Sequence, residues 1–185
     1  MGADVIVLNG GSSSGKSSLA ACLQPRLGGT WLTLGIDDLI RGLSHGRRDT
    51  GAGGTLEITS DGSVVVGDGF GVAELAWYEG LAAIARAGTG VIIDEVFLGG
   101  GASQARLQPA LKGLSVIWVG VRCEAAVAEA REMRRSDRTI GMARDQAERV
   151  HLGVHYDVVV DTSDATSGEC AAAIVTFIGD HRSQL

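Results

Sequence analysis

Residues 5–18 read VIVLNGGSSSGKSS, and their interpretation decides the fold. Val5 to Leu8 form a short apolar run, rich in β-branched residues, of the kind buried on both faces of a sheet. Residues 19–27, LAACLQPRL, repeat their apolar side chains every three or four positions, which is the period of a helix face. Between them, Gly10-Gly11-Ser12-Ser13-Ser14-Gly15-Lys16-Ser17 satisfies G-x-x-x-x-G-K-[ST] in full. Strand, glycine-rich loop and helix in that order make an anion cradle. The glycines let the backbone wrap, successive N–H groups turn inward, and the helix adds its positive N-terminal end. A flexible Gly/Ser linker could carry the same letters, but a linker has no reason to sit between a buried strand and a helix. The candidate phosphate contacts are therefore Gly10, Gly11, Ser12, Ser13, Ser14, Gly15, Lys16, Ser17 and Ser18, with Lys16 on the β- and γ-phosphates and Ser17 on a Mg²⁺ ion.

Outward from this loop, strand and helix patterns alternate. Strands are expected at 31–35 (WLTLG), 91–93 (VII), 116–121 (VIWVGV) and 156–160 (YDVVV), and helices at 70–88, 102–113, 124–134, 143–150 and 166–179. Asp37 and Asp38 suit the first turn of a short helix, Gly88 suits a helix end, and Pro109 should kink or start the helix that contains it. Residues 56–66, LEITSDGSVVV, alternate around Asp61-Gly62 and predict a hairpin. Buried strands alternating with helices specify an α/β fold with a doubly wound, mostly parallel five-stranded sheet in three layers, helices on both faces. A β-hairpin insertion near 56–66 and an Arg-rich lid near 131–142 would decorate it. No repeat or boundary interrupts the pattern, so residues 1–185 are expected to form one domain, with about 42–68 covering the substrate.

Composition narrows the partners. The chain has 185 residues, 45% of them hydrophobic, with a mean hydropathy of +0.18 and only two prolines, which excludes collagenous, Pro-rich or disordered content. Glycine, at 28 residues, is roughly twice its average usage of ~7%. A net charge of −6 argues against a dedicated nucleic-acid binder, since phosphate neutralisation needs excess Lys and Arg. Cys22, Cys123 and Cys170 show neither disulfide nor zinc spacing and read as small buried side chains in a cytoplasmic protein. No export signal and no membrane span are expected.

Three further groups of residues point to the same rim. Asp37 follows the second strand, on the carboxyl edge where ligands of parallel sheets bind, and a carboxylate there can take the proton of an attacking hydroxyl. Helix capping by Asp37 or Asp38 is the competing role. VIIDEVF, residues 91–97, has the form of a Walker B strand, with Asp94 meeting the metal directly or through water. Seven arginines fall between Arg122 and Arg149, and Arg131, Arg134, Arg135 and Arg138 are spaced to share one helical face. That face is either solvated and paired with Glu129, Glu132 and Asp137 or a phosphate-binding lid in which Arg135 and Arg138 stabilise transferring charge. The four histidines are scattered without metal spacing and read as structural or surface residues. Phe70, Trp77, Phe97 and Leu98 are candidates for lining an acceptor pocket, against core packing for each.

LNGGSSSGKS, GIDDLI, IIDEVFLGG, WVGVRC and REMRRSDRTIGMA together resemble the chloramphenicol phosphotransferases, in one register from about residue 5 to about residue 162. The resemblance implies a P-loop kinase-like fold and ATP-dependent phosphorylation of a primary hydroxyl of the antibiotic. It implies that Asp37 is the base, that Lys16 is the P-loop lysine, and that Arg135 and Arg138 are the lid arginines. Arg131 joins the nucleotide contacts. Residues 42–55, GLSHGRRDTGAGGT, are richer in Gly and Arg than the family pattern, so another small hydroxylated metabolite or antibiotic is an alternative acceptor. A nucleotide switch without acceptor chemistry would need Lys16 and Ser17 but not Asp37.

Overall fold

The computed structural model describes residues 3–43, 56–58, 64–134 and 142–182. In chain order the elements are β1 (Val5–Asn9), α1 (Lys16–Leu23), β2 (Trp31–Gly35), α2 (Ile36–Gly42), β3 (Leu56–Ile58), β4 (Val64–Val66) and α3 (Asp68–Arg86). They continue with β5 (Gly90–Glu95), α4 (Gly101–Leu107), β6 (Val116–Arg122), α5 (Ala125–Glu132), α6 (Met142–Arg149), β7 (Val158–Asp161) and α7 (Ser167–Arg182). The main sheet has five strands in the order β2-β5-β1-β6-β7, and all four neighbouring pairs run parallel. β3 and β4 pair antiparallel as a separate ribbon, with Leu56 opposite Val66, while the Asp61-Gly62 turn lies outside the described residues.

Each central strand buries both of its faces, which is why VIVL and VII carry no polar alternation. Ile6, Leu8 and Ile92 face Leu19 and Leu23 of α1 and Ile174 of α7. Val5, Val7, Val91 and Ile93 face Tyr78 and Leu81 of α3 and Leu107 of α4. The result is the expected three-layer arrangement. Phe97 is fully buried in the second of these clusters, with Trp77 packed beside it, and Phe70 is buried too, so their role in the described structure is packing.

Two of the helices that stop short of their sequence pattern do so at proline. α1 ends at Leu23 and tightens into a 3₁₀ turn over Gln24–Arg26, because Pro25 has no N–H to continue the α-helical ladder. α4 ends at Leu107, two residues before Pro109, and residues 108–113 form turns instead of the predicted helical continuation. Among the described residues no helix is long and apolar enough to cross a membrane, and no cluster of three metal-ligating side chains occurs.

Candidate active site

The loop between β1 and α1 adopts a phosphate-cradle geometry. Gly15 takes φ +89°, a left-handed conformation that side chains disfavour, and α1 starts directly after it. Lys16 is only 7% exposed and folds back over the loop, donating from Nζ to Gly10 O at 2.8 Å and to Gly11 O at 3.0 Å. Ser17 Oγ donates to Asp94 Oδ2 at 2.8 Å, and Lys16 Nζ stands 3.7 Å from Asp94 Oδ1. Asp94 reaches this point because β5 lies beside β1 with Leu8 opposite Asp94.

A hydroxyl and a carboxylate in contact are hard oxygen donors of the kind that hold Mg²⁺. Among the described residues five buried side-chain polar atoms have no hydrogen-bond partner, and three of them are the hydroxyls of Ser12, Ser13 and Ser14. A buried hydroxyl without a partner carries a desolvation penalty of ~1–3 kcal/mol, which an oxyanion seated in the loop would remove. The chain's residues therefore fit both a phosphate chain and its divalent ion.

A cavity of about 330 Å³ opens on the flank of this loop, lined by Ser13, Gly15, Ser18, Arg131, Thr162 and Thr166 among others. Ser18 and Arg131 are thus brought to the loop. Arg131 is held there by Thr162, with Nη2 donating to the Thr162 carbonyl at 2.6 Å, and Thr162 Oγ1 in turn donates to Ser14 O at 2.6 Å.

Asp37 is exposed in the first turn of α2, two residues beyond Gly35, the register partner of Asp94. It lies on the carboxyl rim with the loop. The capping role belongs to Asp38, whose Oδ2 accepts from Gly35 N at 2.7 Å. Arg135 and Arg138 lie outside the described residues. The expected single arginine face needs correction, because α5 ends at Glu132 and Arg134 follows it in a turn. Glu132 is 2% exposed and accepts from Ala143 N at 3.0 Å, tying the end of α5 to the start of α6. Of the acids expected to pair with that face, Glu129 instead meets Arg144 of α6 at 3.7 Å, and Glu132 serves this buried role.

Three features escaped the sequence reading. Asn9, directly before the loop, accepts on Oδ1 from Phe97 N at 2.9 Å and donates from Nδ2 to Val150 O at 2.8 Å and to Tyr156 Oη at 2.6 Å. The Tyr156 hydroxyl and His151 Nδ1 share a further hydrogen bond of 2.7 Å. Burial, reinforced by Arg122, pushes His151 down to about 4.

Gln146 on α6 reaches across to the loop, its Oε1 accepting from Ser12 N at 2.8 Å. Beneath the rim, Glu74 of α3 pairs with Arg106 Nε at 2.9 Å and accepts from the Tyr78 hydroxyl at 3.2 Å. Glu95 is fully enclosed nearby. Burial first, and then the charges of Glu74 and Asp94, push its carboxyl up to about 8, so it is largely protonated at neutral pH. An Asn ending a strand and a Glu following an Asp carry no motif, so only the observed contacts single them out.

Comparison with known proteins fits this geometry. An O-phosphotransferase of Mycobacterium tuberculosis strain H37Rv, so named provisionally, is 32% identical over 181 residues, covering 90% of this chain and 78% of the relative. The solved structure of a Deinococcus radiodurans tunicamycin resistance protein superposes with a TM-score of 0.64 at 21% identity, covering 95% of each chain. Shikimate kinase from Acinetobacter baumannii superposes with a TM-score of 0.58 at 16% identity, covering 96% of this chain and 93% of that one. These two share the fold of this chain. Residues 3–179 match the family described as chloramphenicol phosphotransferase-like protein, and the chain belongs to that family of phosphotransferases.

Proposed function

We propose that the protein transfers the γ-phosphoryl group of MgATP to a hydroxyl of a small antibiotic-like acceptor, with chloramphenicol as the first candidate, and does so in the cytoplasm. The observation that carries this reading is the contact between Ser17 and Asp94 beside Lys16, within a loop whose three serine hydroxyls are buried without partners. Loop amides and Lys16 hold the β- and γ-phosphates, and Arg131 flanks the nucleotide. Ser17 and Asp94 would hold Mg²⁺, which would supply neutralisation of the phosphate charge.

Asp37 accepts the proton of the acceptor hydroxyl as that oxygen forms its bond to the γ-phosphorus. The bond from the γ-phosphorus to the β–γ bridging oxygen breaks, and its electron pair leaves with ADP. Arg135 and Arg138 stabilise the transferring charge.

The test is transfer of phosphate from ATP over a panel of hydroxylated antibiotics, read as a one-phosphate mass increase, with Asp37→Asn beside the wild type. One phosphorylated compound and a kcat lowered ~10²–10⁴-fold in the variant are expected. Phosphorylation of another compound but not chloramphenicol would shift the acceptor and keep the chemistry. ATP hydrolysis unaffected by every acceptor would sink the phosphotransfer reading.

A further inference from the structure

The peptide unit joining Gly11 to Ser12 is gripped at both ends. Its N–H, on Ser12, donates to Gln146 Oε1 at 2.8 Å, and its carbonyl, on Gly11, accepts from Lys16 Nζ at 3.0 Å. The peptide is planar and trans, so its N–H and C=O point in opposite directions and fixing one fixes the other. Gln146 is 4% exposed and belongs to α6, which presses directly on the loop. A Cβ on Gly11 would come within 3.2 Å of both C and Cβ of Gln146. A side chain there would press α6 outward by a few tenths of an ångström.

We propose that Gln146 is a positioning residue for Lys16. Its carboxamide sets the direction of the Gly11–Ser12 peptide, and that peptide's carbonyl parks the ammonium between the loop and Asp94. When the triphosphate enters, the ammonium needs only a short excursion to reach it. Without Gln146 the peptide is free to rotate, Lys16 loses one of its carbonyl acceptors, and part of its ordering must be supplied on nucleotide binding.

This inference rests on the phosphotransferase reading for its consequence but not for its geometry, and the test separates the two. Affinity for a nonhydrolysable MgATP analogue is measured for wild type, Gln146→Met, Lys16→Met and the double variant. Gln146→Met should weaken binding about tenfold in the wild-type background, the effect of one lost buried hydrogen bond. In the Lys16→Met background it should weaken binding less than about twofold, because the residue acts through Lys16. Equal effects in both backgrounds would overturn the proposal.

In nucleotide-free protein, the Ser12 amide should lose hydrogen-exchange protection and the Lys16 Nζ resonance should shift in Gln146→Met, whereas Gln146→Glu, which keeps the acceptor oxygen, should restore both. If neither signal moves, Gln146 does not set the peptide. Should Gln146→Met fail to fold, Gln146→Asn, one methylene too short to reach Ser12, takes its place with the same expectations. A wild type that does not bind the analogue defeats the nucleotide reading alone, and the amide and Nζ signals still decide the positioning role.

Discussion

Acidification should destabilise the protein through His151, by an amount that follows from its surroundings. The ring is buried near Arg122, and its Nδ1 is hydrogen-bonded to the Tyr156 hydroxyl, which is itself held by Asn9. The folded protein therefore keeps His151 neutral down to about 4, while the ordinary value, expected in the unfolded chain, is 6.5. Between these values the unfolded state binds a proton that the folded state refuses, so stability falls as pH drops from about 6.5 to about 4 and is unaffected by this group above that window. At about 1.36 kcal/mol per pH unit, the gap between 6.5 and about 4 corresponds to about 3 kcal/mol.

The assay is urea unfolding at pH 7, 6, 5 and 4 for wild type and His151→Asn. Asparagine keeps a hydrogen-bonding group close to where Nδ1 stood and does not titrate. Its smaller volume adds an offset that does not depend on pH, so only the change in the gap between the two proteins counts. Wild type should lose about 3 kcal/mol more than His151→Asn between pH 7 and pH 4. A gap constant to within ~0.5 kcal/mol would mean that the ring ionises freely in the folded state and that the Asn9–Tyr156–His151 chain does not constrain it.

Other outcomes follow from the same contacts. Glu95 titrates with the opposite sign. Its raised folded value makes the wild type lose stability as pH rises from about 4.5 through about 8, so Glu95→Gln should gain at least ~1 kcal/mol on the wild type between pH 6 and pH 9, read by urea unfolding at the two pH values. Asn9→Ala strands Phe97 N and Val150 O and takes one partner from the Tyr156 hydroxyl, and should cost about 2–4 kcal/mol of stability in the same assay. Gly11→Ala forces α6 away by a few tenths of an ångström. It should cost ~1–2 kcal/mol and weaken nucleotide binding in a fluorescence titration, whereas an unchanged affinity would show that the loop and α6 are not in the tight contact described.

The layered sheet was legible from local period alone. VIVL, VII and VIWVGV announce strands buried on both faces because each residue's environment repeats along its own strand, and the helices between them declare their inner faces at three and four. The boundaries at Gln24 and Leu107 were harder to place, although Pro25 and Pro109 stand beside them, because helical periodicity continues past the point where a missing N–H ends the ladder. Glu132 shows a different limit. In sequence it is one more acid among the arginines, and only the return of the chain at Ala143 makes it a buried acceptor.

By itself the sequence determined that a glycine-rich anion loop follows a buried strand and opens a helix, since the motif is contiguous and its physics is local. The tertiary structure decided what that loop touches. Ser17 meets Asp94 across 77 positions, Ser12 meets Gln146 across 134, and Asn9 meets Tyr156 across 147. Such contacts depend on strand order and on the depth to which each side chain is buried, both of which are set by the packing of the whole sheet. No pattern within a dozen residues can encode them.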